Sequence, residues 1–213
     1  MWLSNWPKVG LGAGKAYHGR VSDPSARSVR IVTAVVLSLV AVQVLGLHAM
    51  GRVWICTCGT IRLWVGDIWS PELSQQLFDW YTPSHIVHGV VFYGLLRLAL
   101  PKAPVAARLA IAVGIEVAWE IAENSPWVIE AYRKQALAAG YTGDSILNSL
   151  MDTASMMTGF ALARRLPWKA TVVLALALEI GTAALVRDNL TLNILNFIHR
   201  FPAIEAWQSG AQH

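Results

Sequence analysis

Charge is scarce in this chain. Asp, Glu, Lys and Arg make up 14% of its 213 residues, where an ordinary soluble domain carries about 25%. A chain so poor in charge and 55% hydrophobic is neither disordered nor a nucleic-acid module of ordinary type. Cysteine is scarcer still, and two residues cannot build a disulfide scaffold. The first 28 residues hold no long apolar run. They are expected to form a flexible, Gly-rich cytosolic tail, not a leader, whose apolar region would lie within them. GLGAGK at Gly10–Lys15 lacks the Ser or Thr that follows Lys in a phosphate loop, and no strand pattern precedes it.

What the chain does hold is apolar runs of bilayer length. A hydrocarbon core about 30 Å thick needs roughly 20 apolar helical residues. Five segments qualify: Val29–Met50, Pro83–Leu100, Pro104–Glu123, Ser145–Leu166 and Pro167–Val186. The expected fold is all-α, a polytopic membrane helix bundle of about five transmembrane helices with the N-terminus inside. It divides into a tail over 1–28, a bundle with two outer loops over 29–187, and an interfacial C-terminal segment over 188–213. Within that last segment Asp188–Phe201 has helical apolar spacing but is too short and polar to span.

Net charge is +4. With the N-terminus inside, eleven of the 17 Lys and Arg fall on the cytosolic side, as the positive-inside rule requires. Of the acids only Asp23 falls there. Trp54, Trp64, Trp69, Trp80 and Trp127 fall in the outer loops, where an aromatic belt would sit. This pattern predicts a multi-pass protein of a bacterial inner membrane, with the lipid bilayer as its first partner and no role for nucleic acid.

The intramembrane polar residues share one depth. His85 and His88 lie near the outer end of the second span, Glu116, Glu120 and Glu123 in the outer half of the third, and Asp144, Asn148 and Asp152 at the start of the fourth. At about 100° per residue, each set falls within about 60–80° on its helix. Each helix thus carries one polar stripe. The stripes must face inward, because a charge facing lipid costs several kcal/mol. Two imidazoles with several carboxylates suit Zn, Mn or Fe. They equally suit acid–base work, because burial and like-charge crowding raise carboxylate pKa values. Each residue alone could be a satisfied polar group that specifies packing. The set at one level argues for a site.

In that site His85, His88, Glu120 and Asp152 are the candidate metal ligands. Glu120, Asp144 and Asp152 are the candidate catalytic carboxylates. Glu116, Glu123 and Asn148 would support them. Arg133 would steer an anionic group, or contact a headgroup or Glu130. Glu179, alone in the fifth span, is expected to be structural or a further contributor. Cys56-Thr57-Cys58 lies in the first outer loop, where so small a ring disfavours a disulfide and points to structural or free thiols. Trp64–Tyr81 is amphipathic enough to lie on the outer surface as a lid.

The runs WICTCGTIRLWVGDIWSPELSQQLFDWYTPSHIVHG, WEIAENSPWVIEAYR and GYTGDSILNSLMDTASMMTGF resemble the uncharacterised UPF0314 (DUF2585) membrane proteins of alphaproteobacteria. The likeness covers roughly Arg30 to Leu166. It implies a multi-pass inner-membrane protein and carries no assigned activity. A more distant likeness is to VanZ-like membrane proteins, through Asp79, His85, His88 and Gly89, then Glu116, Glu120 and Glu123, then Arg133, Asp144, Asn148, Asp152 and Gly159. This chain departs from that pattern in its second His and its longer loop after Glu123.

Three functions fit these residues. One is a metal-assisted or acid–base enzyme acting on a lipid-linked or anionic envelope substrate. Another is a non-enzymatic accessory or assembly subunit of a larger membrane complex, docked through the Trp-rich loop. The third is a proton- or ion-binding membrane protein.

Overall fold

A computed structural model describes residues 24–135, 137–138 and 140–210. The segment 1–23, with most of the expected tail and GLGAGK, lies outside the described residues, as do 211–213. The architecture is all-helical: α1 (Pro24–Ala49), α2 (Thr82–Ala99), α3 (Val105–Glu123), α4 (Pro126–Arg133), α5 (Ile146–Arg165), α6 (Trp168–Val186), α7 (Leu190–Ile198) and α8 (Pro202–Ser209). Among the described residues the only β pairing is an isolated parallel bridge between Trp64 and Phe78.

Five long helices coincide with the five apolar runs. Two of them, α1 over Ser28–Ala49 and α6, are long and apolar enough to cross a membrane by composition alone. Among the described residues no other helix is so apolar and so free of charge; α2, α3 and α5 carry the polar stripes. Helix starts follow local chemistry. Pro83 falls at the start of α2 and Pro126 at that of α4, where a missing N–H costs nothing. Ser145 caps α5 by accepting from Asn148 N at 3.1 Å.

The bundle is built around α2 and α5, its most extensive pairing. Their backbones touch at two glycines. A Cβ on Gly89 would overlap the Met156 carbonyl, and one on Gly159 would overlap that of Ile86. Such close approach is how helices pack where no apolar solvent contrast drives them together. α1 lies against α3, and α6 against α2. Ala112, Val113 and Val117 of α3 pack with Met156 and Phe160 of α5 as an apolar core. Toward the other end of the same helices the interior turns polar, with Glu116, Glu120, Asn148, Ser149 and Asp152 all buried. Outward faces are apolar instead, as at Leu37, Leu98, Val173 and Ile180.

The stretch 50–81, which holds the Trp64–Tyr81 segment expected to act as an outer lid, consists of turns and extended chain. It folds as a plug over the start of α5. Val53 and Trp54 carbonyls accept from Ile146 and Leu147 N–H, and the Ser74 carbonyl accepts from Ser145 N–H. These loop carbonyls satisfy donors that a helix start leaves orphaned. Gln75 and Gln76 are buried, and Gln75 donates to the Gly143 carbonyl at 2.7 Å. Cys56 and Cys58 form a disulfide in this plug, against the expectation of structural or free thiols. The turns around this short ring bring the two sulfurs together despite their spacing.

The C-terminal segment is helical as expected but broken. Phe201 is extended because it precedes Pro202, which opens α8. Glu179 proves structural. Its carboxylate accepts from Leu190 N, Thr191 N and the Thr191 hydroxyl, which pins the start of α7 to α6.

Candidate functional site

Three helices deliver the polar stripes to one point. His85 and His88 come from the first two turns of α2. Glu116 and Glu120 come from α3 and are fully buried. Asp152 comes from α5, two turns below its cap. His85 Nδ1 lies 2.7 Å from Glu116 Oε1 and 3.5 Å from Glu120 Oε1, while its Nε2 faces Asp152 Oδ2 at 3.9 Å. His88 Nδ1 lies 3.1 Å from Glu116 Oε2. Glu116 therefore holds both imidazoles through one nitrogen each.

A second layer fixes Glu120. The Ser149 hydroxyl donates to its Oε2 at 2.6 Å. Gln43 of α1 donates to Ser149 Oγ at 2.7 Å and accepts from the Thr153 hydroxyl at 3.0 Å. Two buried carboxylate oxygens are left without a hydrogen-bond partner: Glu120 Oε1 and Asp152 Oδ1. An unpaired buried carboxylate oxygen is costly and calls for a proton or a cation.

Asp144 anchors the neighbouring wall. It accepts from Asn124 Nδ2 at 2.6 Å and from the Tyr141 hydroxyl at 2.9 Å, and its own N–H donates to Asn124 Oδ1 at 2.7 Å. The preceding Gly143 has φ +92°, and a side chain there would collide with Arg52 and Asn124. Arg52 donates to the Thr142 carbonyl and holds the turn from outside. Burial raises Asp144 to about 6, with the Asn124 and Tyr141 hydrogen bonds opposing it. Burial likewise raises Asp79, and raises Asp188 to about 7.

These groups surround a cavity of about 220 Å³. His85, His88 and Asp152 form its polar floor, and Glu123 and Asp144 one wall. α7 adds an apolar part of the lining, Leu190, Ile194, Phe197 and Ile198, with Asn193 among them. Three overlapping triads bring ligand atoms within 4.8 Å of one another: His85, His88 and Glu116; His85, Glu120 and Asp152; Glu120, Glu123 and Asp144.

Two expected contributors stand apart from this cluster. Asn148 is buried but turns to the plug, its Nδ2 donating to the Gln76 carbonyl at 2.9 Å. Arg133 is exposed and donates through Nε to the Tyr141 carbonyl at 2.7 Å, behind the cavity wall. Sequence reasoning passed over Gln43, Ser149 and Thr153. Ser149 and Thr153 had a visible signal, since Ser145, Ser149, Asp152 and Thr153 share one helical face. Gln43 was the lone amide in the uncharged stretch 31–47. Tyr81 was missed as well; its hydroxyl donates to Asp188 at 3.2 Å and ties the start of α2 to the end of α6.

The family model described as "Protein of unknown function (DUF2585)" matches residues 47–210. A UPF0314 protein of Rhizobium meliloti (strain 1021) is 51% identical over 188 residues, covering 88% of this chain and 95% of its own. One from Brucella anthropi is 47% identical over 191 residues, covering 90% of this chain and 97% of its own. One from Sphingopyxis alaskensis is 49% identical over 176 residues, covering 83% and 94%. No solved structure matches the chain.

Proposed function

The chain belongs to the DUF2585 family, and from its geometry we propose a multi-pass inner-membrane protein whose outer-side cavity holds a divalent metal and works on a lipid-linked envelope substrate. The membrane reading is supported by an inverted solvation pattern. The five long helices turn apolar faces outward, Leu98 being 80% exposed, and enclose charged groups. Helices of 18 to 20 residues such as α2, α3 and α5 are about 27–30 Å long, enough to cross a hydrocarbon core.

The observation that carries the metal reading is a pair of buried, unpartnered carboxylate oxygens beside His85: Glu120 Oε1, 3.5 Å from His85 Nδ1, and Asp152 Oδ1, whose companion Oδ2 lies 3.9 Å from His85 Nε2. A mixed imidazole and carboxylate set of this kind suits Zn, Mn or Fe. His85, Glu120 and Asp152 would hold the ion, with His88 in reach. Glu116 would fix both ring orientations, as second-layer carboxylates do for metal-bound imidazoles. A bound divalent ion makes coordinated water acidic near neutral pH. Glu123 and Asp144, on the cavity wall, are the groups available to take or return a proton.

Metal content decides this reading. Protein purified without chelator should carry about one Zn, Mn or Fe per chain by elemental analysis. His85→Ala and Asp152→Asn should each lose it while remaining folded by circular dichroism. Wild-type protein that takes up no metal on dialysis against each ion would overturn it. A second reading, a docking subunit of a membrane complex, is favoured by Trp54, Trp64, Trp69 and Trp127, all large and exposed at the same end. Loss of function in Trp64→Ala or Trp69→Ala, in a protein that carries no metal, would select it.

A further inference from the structure

The cavity is amphiphilic and has an uneven charge. Its ionisable lining comprises His85, His88, Glu123, Asp144, Asp152 and Asp188, besides three tyrosines. Among the described lining residues none is Lys or Arg. The nearest candidate for an anion, Arg133, is spent on the Tyr141 carbonyl and does not line the space. One divalent ion on His85, Glu120 and Asp152 would balance those two carboxylates and leave Glu123, Asp144 and Asp188 over. A phosphate head would meet carboxyl groups on this wall and no cationic side chain.

The apolar side has an equally definite position. Ile194, Phe197 and Ile198 of α7 line the cavity, yet Ile198 is also 78% exposed on the apolar exterior. The same side chain thus borders the inside of the site and the surroundings of the bundle. A volume of about 220 Å³ is below the roughly 300–1,000 Å³ of pockets that engulf a drug-sized ligand. It encloses a small head and the first few carbons of a chain. Ile198, which both lines the space and is exposed outside, marks a way out for the rest of a longer chain.

We propose that the cavity binds an amine-headed amphiphile, its ammonium group against Glu123 and Asp144 and its hydrocarbon chain running out along α7. This rests on the reading of the cavity as the protein's working site and names its substrate class. It does not require the metal: Glu120 borders both groups, but Glu123 and Asp144 offer the ammonium their own carboxylates whether or not an ion sits at His85, Glu120 and Asp152.

Three probes of equal chain length separate the possibilities: dodecylamine, dodecanol and dodecyl phosphate. Each is titrated calorimetrically against the full chain in a neutral detergent, with and without EDTA. Dodecylamine should bind saturably and about tenfold or more tighter than dodecanol, the scale of one favourable charge contact, and dodecyl phosphate weakest. Glu123→Gln should abolish the preference for the amine over the alcohol and leave the affinity for dodecanol unchanged. Dodecyl phosphate binding as well as dodecylamine, an amine preference that survives Glu123→Gln, or no saturable binding of any probe would each overturn the proposal. An amine preference that persists in EDTA in a protein found to carry no metal would sink the metal reading alone. Metal content without an amine preference would sink this proposal alone.

Discussion

At the scale of single residues the site is a problem of too many carboxylates. Glu116 is quieted by two imidazoles, and Asp144 by an amide and a phenol. Asp144 gives a direct test. Burial raises its folded pKa to about 6, above the ordinary Asp value of about 3.9. The folded state therefore holds that proton more tightly than the unfolded state. Its contribution to stability is complete below about pH 4 and is lost as pH rises through about 6. The melting temperature in detergent should fall across that window, and Asp144→Asn, which cannot titrate, should flatten the slope there. An unchanged slope in the variant would show that Asp144 is not the group responsible. The candidate residues His85, Glu116, Glu120 and Asp152 were legible in the sequence because, in otherwise apolar runs, they form polar stripes at helical spacing that share one depth. Gln43 and Ser149 were not, because an uncharged polar residue in such a helix costs little and stands out little.

At the scale of elements the site depends on α2 and α5 lying backbone to backbone. His85 and His88 ride on one and Asp152 on the other, so their convergence needs the glycine contacts at Gly89 and Gly159. A methyl group at either position meets carbonyl backbone, which cannot rotate away as a side chain can. Gly89→Ala and Gly159→Ala should each cost about 1–3 kcal/mol or more of stability, the range for overpacked interiors, and should lower metal content by forcing His85 and Asp152 apart. Gly94→Ala, where nothing lies within 4 Å, is the matched control on the same helix. Loss confined to the control would reverse the argument. The helices themselves followed from apolar run length and from Ser and Pro at their starts. The plug over 50–81 did not, because its order comes from carbonyls that meet the start of a helix roughly 70 to 90 residues later in the chain.

On the scale of the whole molecule, polarity is inverted relative to a water-soluble bundle. Apolar side chains cover the long helices, and the charged groups meet inside at one end. Among the described residues the exposed tryptophans sit at that end too, except Trp168, which opens α6 at the opposite one. The charge distribution predicts which end faces out. Lys102, in the turn between α2 and α3, and Glu130, on α4, are both exposed at opposite ends of the bundle. In outer-membrane-permeabilised cells a membrane-impermeant maleimide should label Glu130→Cys at once and Lys102→Cys only after lysis. Cys56 and Cys58 are paired, so they should contribute no signal before reduction. The reverse labelling pattern would turn the protein over.

The sequence by itself determined the helices, their polar stripes and the family, because run length, helical spacing and shared motifs are all local properties of the chain. It also brought the stripes to one depth, since depth is only a count of residues from a helix end. Tertiary structure decided what the stripes do to one another. It gave Glu116 both imidazoles, turned Asn148 toward the Gln76 carbonyl, and left Glu120 and Asp152 each with an oxygen unpaired. It also laid α7 along the open side of the cavity. Those outcomes depend on helix rotation and on contacts between residues 28 to 110 positions apart, which no local pattern encodes.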